Sequence, residues 1–208
     1  MSKIRLDKDP FNIIISGVGG QGNIMASRVI AGMLALQGYN ITIGETFGSS
    51  QRGGSVMSHI RVSSGSVWSP QIPKCSADFI ISIEPTEAIR MLTDYGNRHT
   101  AVVSNERPVH SMAVISGAMN YPPKEDIENF LYRYSARSCL VNATEEAIKL
   151  GNPILGNIII IGAAVGMNLL PIGREDFRAI VSRQLKPHLV DINVTAFDIG
   201  FAKTAAIN

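Results

Sequence analysis

The sequence predicts an α/β fold: a mostly parallel, doubly wound (Rossmann-like) sheet with a β-hairpin insertion and C-terminal helices. Three observations carry that expectation. The β-branched run Phe11-Asn12-Ile13-Ile14-Ile15 leads into Gly17-Val18-Gly19-Gly20-Gln21-Gly22 and then an amphipathic segment, the order strand, tight turn, helix that opens a βαβ unit. Short apolar runs and helical stripes keep alternating along the chain, as a sheet covered by helices requires. The chain then closes on segments with helical character, and residues 1–208 are expected to form one domain.

The elements follow in order. After the glycine turn, Ala26, Ile30, Ala31, Met33 and Leu34 form a helical stripe over 23–37, and Gly38 is a natural C′ residue. Residues 40–45, with Ile41 and Ile43, read as the second strand and complete βαβ; 46–54 is a loop of small and polar residues. Residues 56–62 alternate as a strand, and Ser64-Gly65 before Val67-Trp68 reads as a hairpin turn, followed by the extended, proline-set 68–73. Residues 78–84 form a buried-type strand that stops at Pro85, where a short helix opens and runs to Leu92. Residues 101–105 are a strand, and 109–115 is expected to be another. Residues 122–134 form a helix with Glu125, Asp126 and Glu128 early and Ile127, Phe130, Leu131 and Tyr134 on one face. Residues 138–142 make a strand, 144–150 a helix closed by Gly151, and 174–185 and 189–206 terminal helices. Residues 154–170 are the most apolar stretch. They hold Asn157, Asn168 and three glycines and fall short of the usual ~20-residue span, so they read as a buried helix and not a membrane segment. Gly162 and Gly166, four apart, permit close helix approach.

Composition narrows the function. A formal net charge of +2 with no Lys/Arg run gives no basis for nucleic-acid binding. Hydrophobic content of 45% against 17% charged points to apolar surface buried against another chain, and leaves the isolated chain open to homodimerisation. Cys75 and Cys139 lie far apart, too few for a zinc site or an iron–sulfur cluster, which take about four ligands, and read as buried free thiols. Met1 to Pro10 is charged and lacks the pattern of a signal peptide, so a cytoplasmic location is expected.

Three polar constellations are candidates for chemistry. Gly17, Gly19 and Gly22 satisfy G-x-G-x-x-G, and with Gly20 and Gln21 they place a helix amino end where an anion or polar edge can dock. Glu45, at the end of the second strand, stands where dinucleotide-binding proteins hold ribose hydroxyls. A free-standing NAD-dependent oxidoreductase and a nucleotide-sensing module therefore stay open, although no hydride-transfer acid follows. The second constellation is Ser49-Ser50-Gln51-Arg52-Gly53-Gly54, in which a guanidinium, hydroxyls and backbone N–H groups suit a phosphate or carboxylate. In the third, Glu84 either caps the helix after it or lines the ligand crevice, His59 reads as structural, and His99, His110 and His188 pair with nothing at a metal or dyad spacing. Ser16, Ser55 and Ser58 lack the G-x-S-x-G setting of a hydrolase nucleophile.

Gly17-Val-Gly-Gly-Gln-Gly22, Ser50-Gln-Arg-Gly-Gly-Ser55, Trp68-Ser-Pro-Gln-Ile-Pro73, Ile83-Glu-Pro-Thr-Glu-Ala-Ile-Arg90 and Gly151-Asn-Pro-Ile-Leu-Gly-Asn157 occur together. In these motifs the chain resembles the gamma subunit or domain of 2-oxoacid:ferredoxin oxidoreductases, and most of all the small subunit type of the indolepyruvate enzymes. The resemblance implies a subunit that binds no cluster and has no catalytic residue of its own. It implies a large partner with thiamine diphosphate and 4Fe–4S clusters, electron transfer to ferredoxin, and coenzyme A as co-substrate. The glycine turn, the Arg52 loop and Glu84 would then face the partner, coenzyme A or the thiamine site.

Overall fold

The structure, a computed structural model, describes residues 6–48 and 54–206. In chain order its elements are β1 (Phe11–Val18), α1 (Asn23–Leu36), β2 (Asn40–Phe47), β3 (Ser55–Ser63), β4 (Phe79–Ser82), α2 (Pro85–Tyr95), β5 (Ala101–Asn105), α3 (Met112–Ile115), α4 (Lys124–Tyr134), β6 (Arg137–Val141), α5 (Ala143–Lys149), α6 (Gly156–Gly166), α7 (Arg174–Gln184) and α8 (Pro187–Ala205). The strands form one sheet in the order β2-β3-β1-β4-β5-β6. β1, β4, β5 and β6 run parallel, while β3 is antiparallel to both β1 and β2.

Every residue of β1 is buried, because both faces of the sheet are covered. Ile13 and Ile15 face one layer, built from α1, α5, α6, α7 and α8; Ile14 faces the other, with α2 and α4. The period-2 alternation of strand side chains thus feeds two separate cores. α1 and α2 follow neighbouring parallel strands onto opposite faces, so β1 and β4 flank the point where the winding reverses. In doubly wound sheets the crevice outside the carboxyl ends of such strands receives ligands.

Within the helical layer, α6 and α8 pack backbone to backbone, as Gly162 and Gly166 led us to expect. A Cβ on Gly162 would collide with the Phe197 carbonyl, one on Gly166 with Thr204 Oγ1, and one on Gly200 with the Ile159 carbonyl. Thr204 Oγ1 donates to the Ala163 carbonyl at 2.7 Å across this seam. Phe177 and Phe197 stack with centroids 4.5 Å apart and tie α7 to α8. Among the described residues no helix is long and apolar enough to cross a membrane.

Several local expectations need correction. β2 does not lie beside β1: β3 is wedged between them, so the first βαβ unit is split by an antiparallel strand. The hairpin is β2–β3 and not a turn at Ser64-Gly65, since 66–69 form no strand. That stretch is instead a strap, held where Arg61 donates to the Ser69 carbonyl at 3.2 Å and lies over the Trp68 ring. Residues 109–115 are not a strand; Ser111 Oγ accepts from the Val114 N–H and starts a single helical turn whose residues are all outside the core. The apolar run 154–170 breaks into a 3-10 turn at Pro153–Leu155 and α6, which stops before Asn168, where φ is 59°.

Candidate functional site

The carboxyl ends of β1, β4 and β5 and the elements that follow them enclose a cleft of about 370 Å³. The glycine turn forms one wall. Gly20 and Gly22 have φ of 99° and 84°, the left-handed region that a side chain strains, so the turn needs glycine there. Gly22 also meets Asn157, where an added Cβ would run into Nδ2. Gln21 closes the turn on itself: its Oε1 accepts from the Val18 N–H at 2.7 Å, and its Nε2 donates to the Ile83 carbonyl at 3.4 Å. It therefore staples β1 to the end of β4 while still lining the cleft.

The remaining walls come from chain segments far apart in sequence. Asn105, 3% exposed at the end of β5, donates through Nδ2 to Thr144 Oγ1 at 2.9 Å and accepts the Ala143 N–H at 3.1 Å. It thereby ties β5 to the start of α5. Arg107 and Val109 line the mouth, and Pro153, Ile154, Gly156 and Asn157 line the far side. Arg107 is exposed and has no carboxylate partner among the described residues. The amino end of α1 opens here without a side-chain cap, whereas α6 continues from the 3-10 turn, where Asn152 Oδ1 accepts the Ile154 N–H and the Pro153 carbonyl accepts the Gly156 N–H. Free N–H groups and the positive dipole end of α1 therefore meet one guanidinium at the cleft. Asn157 is 5% exposed; its Nδ2 donates to the Gln21 carbonyl at 3.4 Å, and its Oδ1 has no partner. The uncapped amino end of α1 beside Arg107 suits an anionic ligand, and the orphaned Asn157 Oδ1 lies buried behind that wall.

Of the residues singled out from sequence, Gly20, Gln21 and Gly22 line this cleft. Gly17 and Gly19 build the turn behind it. Ser49, Ser50, Gln51, Arg52 and Gly53 lie outside the described residues. Gly54 is described, and its carbonyl accepts the Gly19 N–H at 2.8 Å, while the Gly48 N–H donates to the Ser55 carbonyl at 2.8 Å. Both stems of the 49–53 segment are therefore fastened beside the glycine turn. Ser55 Oγ donates to Glu87 Oε2 at 2.6 Å, and burial pushes the Glu87 carboxyl above its ordinary range.

Glu84 resolves as the helix-start carboxylate. It is fully buried, its Oε2 accepts from Glu87 N–H at 2.9 Å and Thr86 Oγ1 at 2.6 Å, and its Oε1 accepts from Val109 N–H at 3.3 Å and Tyr121 OH at 2.6 Å. Burial, and then the bond to Glu84, push the Tyr121 hydroxyl upward from its ordinary value. His59 is structural: its Nδ1 accepts the Ile72 N–H at 3.3 Å, and its ring meets Tyr95 edge-on. Glu45 is exposed on the edge strand β2, two strands from β1, so the ribose-holding geometry of a dinucleotide site does not form. Asn105, Arg107, Thr144 and Asn157 were missed by the reading of single motifs. Of these, Asn157 alone fell inside a motif, at the end of the Gly151–Asn157 segment.

The fold is one already seen in solved structures. The gamma subunit of a keto/oxoacid ferredoxin oxidoreductase from Geobacter sulfurreducens superposes with a TM-score of 0.67 at 20% identity, over 94% of this chain and 99% of that one. A 2-oxoglutarate:ferredoxin oxidoreductase from Magnetococcus marinus superposes with a TM-score of 0.75 at 20% identity, over 97% of this chain but 32% of that one. There the same fold is one section of a longer polypeptide.

Sequence goes further than fold. Residues 12–203 match the pyruvate ferredoxin/flavodoxin oxidoreductase family, and the chain belongs to it. The indolepyruvate oxidoreductase subunit IorB of Archaeoglobus fulgidus is 36% identical over 190 residues, 91% of this chain and 93% of that protein. This chain is accordingly a subunit of an oxidoreductase complex of the 2-oxoacid:ferredoxin type.

Proposed function

We propose that this chain supplies the coenzyme A side of an aryl-2-oxoacid (indolepyruvate-type) ferredoxin oxidoreductase. In this reading a larger cytoplasmic partner holds thiamine diphosphate and the 4Fe–4S clusters and delivers electrons to ferredoxin. The observation that carries it is the cleft, where the uncapped amino end of α1 and the Arg107 guanidinium converge. Coenzyme A fits that donor set, having phosphates for the N–H groups and the guanidinium. When bound it supplies the thiol that receives the acyl group; the residues of this chain bind and orient it. Cluster ligation does not fit. Cys75 is exposed in the turn before β4, Cys139 is half-buried on β6, and no group of three possible ligands occurs among the described residues.

The substrate class is taken from relatives. The Archaeoglobus fulgidus subunit named for indolepyruvate is 36% identical, whereas a 2-oxoglutarate synthase subunit from the same organism is 28% identical. The glycine turn and the Ser49–Gly54 loop belong to the same proposal as the face turned to coenzyme A and the partner; Glu84, fully buried, is not on that face.

The test is acyl-CoA formation by the reconstituted complex with indolepyruvate, titrated with coenzyme A. Arg107→Ala should raise the coenzyme A KM about tenfold, the loss of one charge-assisted hydrogen bond, with the 2-oxoacid KM unchanged. Arg107→Lys should recover part of it, since charge returns without the planar fork. Arg52→Ala should show the same pattern. An unchanged coenzyme A KM in both Ala variants would overturn the reading.

A further inference from the structure

We infer that Glu84 is the positioning residue of the cleft, its single carboxylate fixing both the amino end of α2 and the two ends of the segment 109–121. The part that concerns coenzyme A rests on the function proposed above; the part that concerns the segment does not.

A helix cap needs one acceptor, and Glu84 Oε2 is enough for that, taking the Glu87 N–H and the Thr86 hydroxyl. Oε1 makes no bond within the helix. It accepts the Val109 N–H at the start of the segment and the Tyr121 hydroxyl at its end. The segment meets the start of α2 at this oxygen, which takes a bond from each of its ends, and at Thr86 beside it, which also contacts the Tyr121 hydroxyl.

The segment has little else to hold it. Val109, Met112, Ile115 and Met119 are exposed, and α3 buries no residue. From 109 to 121 there is no Lys, Arg, Asp or Glu to form an ion pair with the body. Tyr121 is half-buried against the α2–α4 core, so its ring anchors one end while its hydroxyl points at Glu84. Arg107 and Val109 line the cleft, the first two residues before the Val109 bond and the second at it. Where Oε1 holds Val109 thus sets where the guanidinium stands. A capping Asp, Ser or Asn would start α2 equally well but has no second oxygen at that reach.

Tyr121→Phe separates the two roles, because it removes one bond to Oε1 and leaves the cap intact. Glu84→Asp is its counterpart, keeping an acceptor for the start of α2 without the reach to Val109 and Tyr121. In the isolated full-length chain, Tyr121→Phe should speed amide hydrogen exchange across 107–121 by about tenfold, with α1 and α6 unchanged. Glu84→Asp should speed exchange across the same residues and leave the start of α2 near wild type. In the reconstituted complex, Tyr121→Phe should raise the coenzyme A KM about fivefold at a kcat within about twofold of wild type, and Glu84→Asp should do likewise. Glu84→Gln should loosen both the start of α2 and 107–121, since its amide keeps one acceptor of two.

Unchanged exchange at 107–121 in Tyr121→Phe would overturn the inference, as would faster exchange in Glu84→Asp at the start of α2 and not at 107–121. If 107–121 loosens in Tyr121→Phe while Arg107→Ala and Tyr121→Phe both keep the wild-type KM, Glu84 stands as the positioning residue and the coenzyme A reading falls.

Discussion

His59 sits in β3 with 2% of its surface exposed, and its neutral ring is what the fold needs, since Nδ1 must accept the Ile72 N–H that anchors the strap over the sheet. Burial lowers its pKa from the ordinary 6.5. A base that is harder to protonate folded than unfolded contributes stability that is complete above ~6.5 and is lost as pH falls below it, because the unfolded chain then binds more protons. The urea midpoint should therefore drop between pH ~7.5 and ~5.5, and His59→Asn, whose Oδ1 can replace Nδ1 without titrating, should lose His59's share of that drop. An equal drop in the two proteins would show that other groups carry the acid sensitivity. The same scale shows what a sequence conceals. Gln21 was legible as part of the turn, yet its use as a staple between β1 and β4 needs the Ile83 carbonyl, 62 residues on. Asn105 ends β5 with Arg107 just beyond it, and Thr144 and Asn157 lie in the first turns of α5 and α6. No local spacing relates these three segments, which the fold brings to one edge of the sheet.

Elements whose burial pattern is local were readable in advance. α1 carries its core stripe and its stop at Gly38 within one stretch, and β1, β4 and β5 are short apolar runs that can only be buried strands. β2 and β3 were each recognisable as strands, but their partners were not, because antiparallel insertion beside β1 is decided by pairing across the sheet. Val109–Ile115 misled for the opposite reason. Its β-branched residues suit a strand, but the segment is outside the core, so no pairing rewards extension and the Ser111 cap wins. The α6–α8 seam was legible in Gly162 and Gly166, and it depends equally on Gly200, which faces the Ile159 carbonyl. Gly200→Ala should force the helices apart and cost about 1–3 kcal/mol, despite alanine's better helix propensity. Gly173→Ala is the control, since a Cβ there meets nothing within 4 Å. Urea midpoints of the two variants check this, and a Gly200→Ala chain as stable as wild type would mean that the seam can open at no cost.

For the whole molecule, the decisive feature is the position of its bare apolar surface. Met112, Ile115 and Met119 are 76%, 66% and 62% exposed, on the segment that leaves the cleft at Val109, and Val109 and Ile154, exposed themselves, line the cleft at the carboxyl edge of the sheet. On the function proposed above, the partner's active centre has to reach that same edge, so the apolar segment beside the cleft is where the larger chain should sit. Val67, 80% exposed, follows the end of β3 that pairs with the start of β1, and so lies at the opposite edge. Met112→Lys and Ile115→Lys should each leave the isolated chain within ~0.5 kcal/mol of wild type, because α3 contributes nothing to the core. Both should weaken capture of the larger subunit by about tenfold or more, since each buries an uncompensated charge in an apolar contact. Val67→Lys should leave capture intact. Binding isotherms for the three variants, beside their urea midpoints, separate the possibilities. Wild-type capture by both α3 variants would move the partner to another face, and with it the assignment of the cleft to the shared active centre.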